Sequence, residues 1–184
     1  MTENNFLKKI KNKQNLSILE TKNLFNLIMK EKIDEKYVQE VLIELSKKGE
    51  SSDEITGGAE VLREKSLRVN LKFDAIDTCG TGGDGKHTLN ISTASAIVLS
   101  SMGLKVAKHG NKSLTSKCGS ADVLEKLGIN IMQKPAEIEK SINEKNFGFM
   151  FAPNYHLAMK NVAKVRKNIN TRTIFNLLGP LSNP

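Results

Sequence analysis

The chain has no tryptophan, only two cysteines, and no apolar run long enough to span a bilayer. Its first residues, Met1 to Lys9, lack the apolar block of a secretory signal, so the expected location is cytoplasmic. Cys79 and Cys118 lie far apart and fall in no Cys-x-x-Cys or Cys/His ligand spacing. That argues against a structural zinc site, and both read as reduced, incidental thiols. Arginine is scarce as well, limited to Arg63, Arg68, Arg166 and Arg172. Proteins that read nucleic acids lean on arginine for base-edge and bidentate phosphate contacts, and no aromatic-rich platform for single strands is visible. The net charge of +8 therefore reads as lysines coating exposed helix faces. Neither nucleic acid nor a membrane is the expected partner.

What is present divides near residue 72. The first fifteen residues are rich in lysine and asparagine and are expected to fray. Ser17-Ile18-Leu19-Glu20 is a capping box ahead of Leu24, Phe25, Leu27 and Ile28. Asp34 can cap a second helix, in which Val38, Val41, Leu42 and Leu45 recur at one helical face. Lys47-Lys48-Gly49 closes it. Ser51-Ser52-Asp53-Glu54 opens another helix. Short helices with one apolar face need a partner, so residues 1–72 are expected to form an all-helical domain.

After Asn70 the pattern alternates. Strands are expected at Phe73 to Asp77, Leu104 to Ala107 and Phe147 to Phe151. Helices are expected at Ser92 to Met102, Ser120 to Leu127 and Pro135 to Lys145. This order indicates an α/β domain with a parallel sheet over residues 73–184, its loops gathered at the strand ends where such sheets bind ligands. The fold class is thus α/β, with a helical domain in front.

Gly80, Gly82 and Gly85 fit the G-x-G-x-x-G spacing of a dinucleotide loop. That reading also requires an acid about twenty residues on, at the end of the next strand, to hold the ribose hydroxyls. Here the second strand ends in Lys108-His109-Gly110-Asn111. No acidic residue stands between Gly85 and Ala121, whereas Lys86, Lys105, Lys108, Lys112 and Lys117 do. The charge is wrong for a dinucleotide and right for a small polyanion, cradled by glycine N–H groups and a helix N-terminus.

The stretches "DTCGTGGDGKHTLNISTASA", "VAKHGNKSLTSKCGSADVLEKLG", "FMFAPNYHLAMKNVAKVRK" and "TRTIFNLLGPLSNP" resemble successive motifs of anthranilate phosphoribosyltransferases. The likeness is dense from Asp77 to Pro184 and fainter in the helical third. It implies a nucleoside phosphorylase/phosphoribosyltransferase-like fold. The reaction it implies is transfer of phosphoribose from 5-phosphoribosyl 1-diphosphate to anthranilate, with Mg2+, in tryptophan biosynthesis. It also implies a homodimer formed through the helical domain, with helices from about residue 157 to 178 packing back on that domain.

Carried over residue by residue, the phosphoribosyl diphosphate site would comprise Gly80, Gly83, Asp84, Thr88, Asn90, Ile91, Ser92 and Thr93. Lys108, His109, Gly110, Asn111, Lys112, Ser113, Leu114, Thr115, Ser116 and Ser120 would complete it. Ser92 would ligate Mg2+. Gly80, Asn111 and Arg166 would contact anthranilate. Lys108 and His109 are the catalytic candidates, Lys108 for charge on the leaving diphosphate and His109 as a base or as a residue that orients the loop.

Three features depart from the family. Lys112 stands where arginine is common, and Cys118 where serine is usual. Members also run to roughly twice this length, and the remainder would bring further strands and an adjacent Asp-Glu pair that ligates Mg2+. The expectation is therefore a segment with negligible turnover by itself, its third strand left with an exposed edge and apolar face. The alternative is a non-catalytic module that binds phosphate or dimerises.

Overall fold

The computed structural model describes residues 3–30, 33–81, 89–112, 118–169 and 171–184. Two compact units emerge: Met1–Ser66 with His156–Ser182, and Leu67–Tyr155 with Asn183–Pro184.

The first unit is helical, with α1 (Glu3–Lys11), α2 (Ile18–Ile28), α3 (Glu35–Lys48) and α4 (Ser52–Glu64). Both capping boxes form. Ser17 Oγ accepts from the Glu20 N–H while Glu20 accepts from the Ser17 N–H, and Ser51 and Glu54 repeat the exchange. Asp34 caps α3 through the Lys36 N–H, and Gly49 ends α3 at a φ of 85°, a conformation that suits glycine. Composition suggested fraying over the first fifteen residues; among the described ones, Glu3–Lys11 form α1. In α1, Phe6 and Ile10 lie four residues apart on one face, and with Leu16 they are buried in the core. Lys8, Lys9 and Lys11 fill the last turn of α1 around them.

The chain returns to this unit near its end, through α9 (Lys160–Asn168) and α10 (Ile174–Leu178). Val162, Val165, Ile174, Phe175 and Leu178 join Leu24, Phe25, Val41, Leu42 and Val61 in one core. Each such side chain stabilises the fold by about 1.5–3 kcal/mol when fully buried. Helices α2 and α4 approach closely at Gly57, where an added Cβ would sit 2.7 Å from the Ile18 carbonyl oxygen.

The Glu54 carboxylate ties the caps together. It is fully buried, and Oε1 accepts from the Leu16 N–H at 2.9 Å. Oε2 accepts from the Ser51 N–H and from Lys48 Nζ, at 2.8 and 2.9 Å. One side chain thereby joins the entrance of α2, the end of α3 and the start of α4.

The second unit contains α5 (Ile91–Ser101), β1 (Val106–Gly110), α6 (Ser120–Lys126), α7 (Pro135–Lys145), β2 (Phe147–Phe151) and α8 (Ala152–Tyr155). Strands β1 and β2 are parallel, with Val106 opposite Phe147 and Gly110 opposite Phe151. The strand expected at Phe73 to Asp77 shrinks to a single parallel bridge, Ile76 to Val106, on the other edge of β1. Leu71, Phe73 and Ala75 lean on the core by their side chains without extending that ladder. The next strand starts and ends later than expected. Gly103 turns the chain at a φ of 92°, and pairing with Phe149–Phe151 draws Lys108, His109 and Gly110 into β1.

Cores form on both faces of the sheet. Ala107, Met150 and Tyr155 meet Ile138 and Ile142 of α7, while Phe149 meets Ala121 and Leu124 of α6. The third strand therefore lacks the exposed apolar face that was expected. Among the described residues nothing pairs with the outer edge of β2. Exposed apolar surface appears along α5 and at its C-cap instead, at Ile91, Val98 and Met102.

Replacing Glu54 by alanine would leave the Lys48 ammonium with neutral acceptors alone, Asn15 and the Gly49 carbonyl, at a cost of about 3–5 kcal/mol. Replacing exposed Asp53 in the same turn should change stability by under about 1 kcal/mol. Urea unfolding followed by far-UV circular dichroism checks the difference.

Candidate functional site

The end of β1 is held by one carboxylate. Asp77 Oδ1 accepts from the Cys79 N–H at 2.9 Å and from the His109 N–H at 3.2 Å. Asp77 Oδ2 accepts from Asn183 Nδ2 at 2.8 Å, and the same amide donates to the Ala107 carbonyl at 3.0 Å. The loop after Ile76, the end of β1 and the segment at Asn183 are thus locked together.

Lys108 and His109 follow one another in β1, so their side chains leave opposite faces of the sheet. Lys108 is buried, and its Nζ donates to Thr78 Oγ1 at 3.4 Å. Thr78 Oγ1 in turn donates to the Ser92 carbonyl at 2.6 Å, in the first turn of α5. Burial pushes the Lys108 ammonium below its ordinary pKa, while Asp77 and Cys79 pull the other way. His109 is also buried, and one of its ring nitrogens groups with the Cys79 thiol and an Asp77 carboxylate oxygen.

A second junction joins α5 to α6. Asn90 precedes α5, and its Nδ2 donates to the carbonyls of Cys118 and Gly119 at 3.1 and 3.3 Å. Ser120 Oγ and the Ala121 N–H both donate to the Asn111 carbonyl. Gly110 passes so close to Ser120 Oγ that a Cβ there would collide with it. Asn90, Ser92, Lys108, Gly110, Asn111 and Ser120 are therefore linked through this double junction.

Other candidates stand apart from it. Ile91 and Gly80 are exposed, and Lys112 Nζ pairs with Glu125 at 3.0 Å. Thr93 is buried, and its Oγ1 has no hydrogen-bond partner among the described residues. Gly83, Asp84, Thr88, Ser113, Leu114, Thr115 and Ser116 lie outside the described residues. Arg166 belongs to the first unit. Its guanidinium stacks over the Phe175 ring at 5.2 Å, and burial lowers its pKa. Two grooves, of about 240 and 280 Å3, are in the helical unit and contain none of these residues. Among the described residues no helix is long and apolar enough to cross a membrane.

A helical unit followed by a parallel α/β unit also describes a known family. Residues 4–66 match the helical bundle domain of the glycosyl transferase family, and residues 72–184 match its a/b domain. The chain belongs to this glycosyl transferase family. It is 62% identical over 179 residues to an anthranilate phosphoribosyltransferase of Pelagibacter ubique, a match covering 97% of this chain and 54% of the relative. Among solved structures it resembles the anthranilate phosphoribosyltransferase of Thermus thermophilus, at 39% identity and a TM-score of 0.91. That match covers 97% of this chain and 55% of the other. The enzyme from Saccharomyces cerevisiae, in complex with PRPP and Mg, matches at 31% identity and a TM-score of 0.86, covering 98% of this chain and 55% of the other. The chain spans about half the length of the relatives it matches.

Several residues that organise this site were not among the sequence candidates. Asp77, Thr78 and Asn183 carry the contacts that place Lys108 and His109. Only the opening Asp-Thr of the glycine-rich motif hinted at two of them. Cys79, expected to be incidental, lies against Asp77 and His109.

Burial, reinforced by Asp77, raises the Cys79 thiol from an ordinary value of 9 to about 11. At about pH 8 its thiolate fraction should be on the order of a hundredfold below that of an ordinary cysteine. Iodoacetamide should therefore modify Cys79 slowly until the pH approaches 11, as measured by peptide mass spectrometry. Alkylation at the rate of a free cysteine would contradict this placement.

Proposed function

We propose that the chain carries the donor-binding part of an anthranilate phosphoribosyltransferase, binding 5-phosphoribosyl 1-diphosphate and, in the whole enzyme, transferring its phosphoribose to anthranilate. The carrying observation is the buried Lys108 ammonium, which reaches through Thr78 to the N-terminal turn of α5. A helix N-terminus and a lysine held beside it favour a phosphate-rich anion. The absence of acid between Gly85 and Ala121 supports the same reading, and so does the yeast relative's complex with PRPP and Mg.

In this reaction the anthranilate nitrogen attacks the ribose anomeric carbon as the bond to diphosphate breaks. A C–N bond forms, diphosphate leaves, and the nitrogen gives up a proton. Positive charge builds on the ribose and negative charge on the leaving oxygens. Lys108 and the α5 N–H groups stabilise that negative charge where it develops. A buried ammonium fixed in position needs little reorganisation to do so.

Mg2+ favours an octahedron of oxygens, commonly completed by water and substrate phosphates. Ser92, half buried at the start of α5, offers one neutral oxygen. The one group of three His, Cys, Asp or Glu ligands among the described residues contains sulfur and nitrogen. Ser92 therefore fits as a single ligand to a cation that arrives with the diphosphate, and when bound that cation neutralises leaving-group charge. An aromatic amine is already neutral near pH 7, so His109 is assigned to holding the loop beside Asp77 rather than to strong base catalysis. Arg166 is assigned to the anthranilate carboxylate through a charge-assisted pair, with Gly80 and Asn111 lining the acceptor. Gly83, Asp84 and Thr88, with residues 113–116, remain assigned to the donor by motif. Exposed Ile18 and Leu19 on α2 support a homodimer through the helical unit.

Calorimetry with 5-phosphoribosyl 1-diphosphate and Mg2+ should show binding to the 184-residue chain, weakened at least about tenfold by Lys108→Met. No binding would remove the reading. Loss of anthranilate fluorescence should be negligible with this chain alone and appear when the rest of a relative's polypeptide is supplied. Robust turnover by the chain alone would refute the need for that remainder.

A further inference from the structure

Cys79 matches no ligand pattern in the sequence, yet the fold sets it against two other ligand types. One ligand atom from each of Asp77, Cys79 and His109 lies within 4.8 Å of the others. The backbone fixes this arrangement, because Asp77 Oδ1 accepts from the N–H groups of both Cys79 and His109. A carboxylate offers about four lone-pair positions. Oδ1 uses two here and Asn183 takes one on Oδ2, which leaves one for a cation.

We infer that Asp77, Cys79 and His109 form a binding site for a thiophilic divalent cation such as Zn2+. The ligands are one carboxylate oxygen, one thiolate sulfur and one imidazole nitrogen, with water in the fourth position. Three mixed protein ligands and a water suit the tetrahedral preference of Zn2+. With bonds of about 2.3 Å to sulfur and 2.0 Å to nitrogen, neighbouring ligand atoms stand roughly 3.5 Å apart. Closing from at most 4.8 Å therefore takes about an ångström of side-chain movement. As the Zn–S bond forms, the thiol proton passes to solvent. Mg2+ prefers oxygen and does not compete for sulfur and nitrogen.

The Lys108 ammonium, anchored on Thr78 between Asp77 and Cys79 in the chain, keeps positive charge beside this site. Occupation would pin the start of the glycine-rich segment to the end of β1. This inference stands on the side-chain geometry and does not depend on the transferase reading.

Co2+ can stand in for Zn2+ as a spectroscopic probe. Titrating the full chain with Co2+ should produce a near-ultraviolet thiolate-to-cobalt charge-transfer band that Zn2+ abolishes and Mg2+ does not. Cys79→Ser should remove the band, Cys118→Ser should keep it, and His109→Gln should weaken Co2+ binding on the order of tenfold. A wild-type chain with no band, or a band that survives Cys79→Ser, would overturn the site. Zn2+ should also protect Cys79 of the unaltered chain from alkylation, a readout that needs no variant to fold. Lack of protection would likewise overturn it.

Discussion

The second unit depends on the Asp77 carboxylate. An anionic acceptor with three fixed donors is worth more than the same contacts between neutral groups, and here the donors come from three separate parts of the chain. Removing the carboxylate would free the loop after Ile76, the end of β1 and Asn183 from one another. The Lys108–Thr78–Ser92 connection adjoins it, since Thr78 lies between Asp77 and Cys79 in the chain. A buried lysine is expensive to desolvate. Keeping one on β1, tied through Thr78 to the first turn of α5, is the feature on which the proposed anion site rests.

The helical unit uses the same device at Glu54, where one buried carboxylate satisfies two N–H groups and an ammonium. In both units a charged acceptor fixes chain segments that hydrophobic packing alone would leave free to slide. The helical unit is also closed late. Its core takes in Phe175 and Leu178, far along the chain from Phe25, so it is complete only when α9 and α10 have returned.

Local signals were legible in the sequence. The capping boxes at Ser17 and Ser51, the Asp34 cap and the Gly49 stop each act within a few residues, and each forms. Pro135 to Lys145 was read at its observed bounds for the same reason. Signals that depend on a partner were harder to read. The polar Lys108-His109-Gly110 run looked like a loop until pairing with Phe149–Phe151 made it strand. Phe6 and Ile10 were hidden among lysines, and only burial against α3 and the rest of the core exposes their role. The grouping of Asp77, Cys79 and His109 spans thirty-two positions and depends on strand register, which no spacing rule captures. Motif resemblance reached Lys108, Asn90 and Ser92, but it gave no account of the contacts that hold them.

A crystal structure of the chain with 5-phosphoribosyl 1-diphosphate and Mg2+ would test the central claim most directly. The diphosphate should sit at the N-terminus of α5, with Lys108 Nζ within hydrogen-bonding distance of its oxygens and the Asp77 contacts intact. A diphosphate bound elsewhere, with Lys108 still on Thr78 alone, would contradict the account.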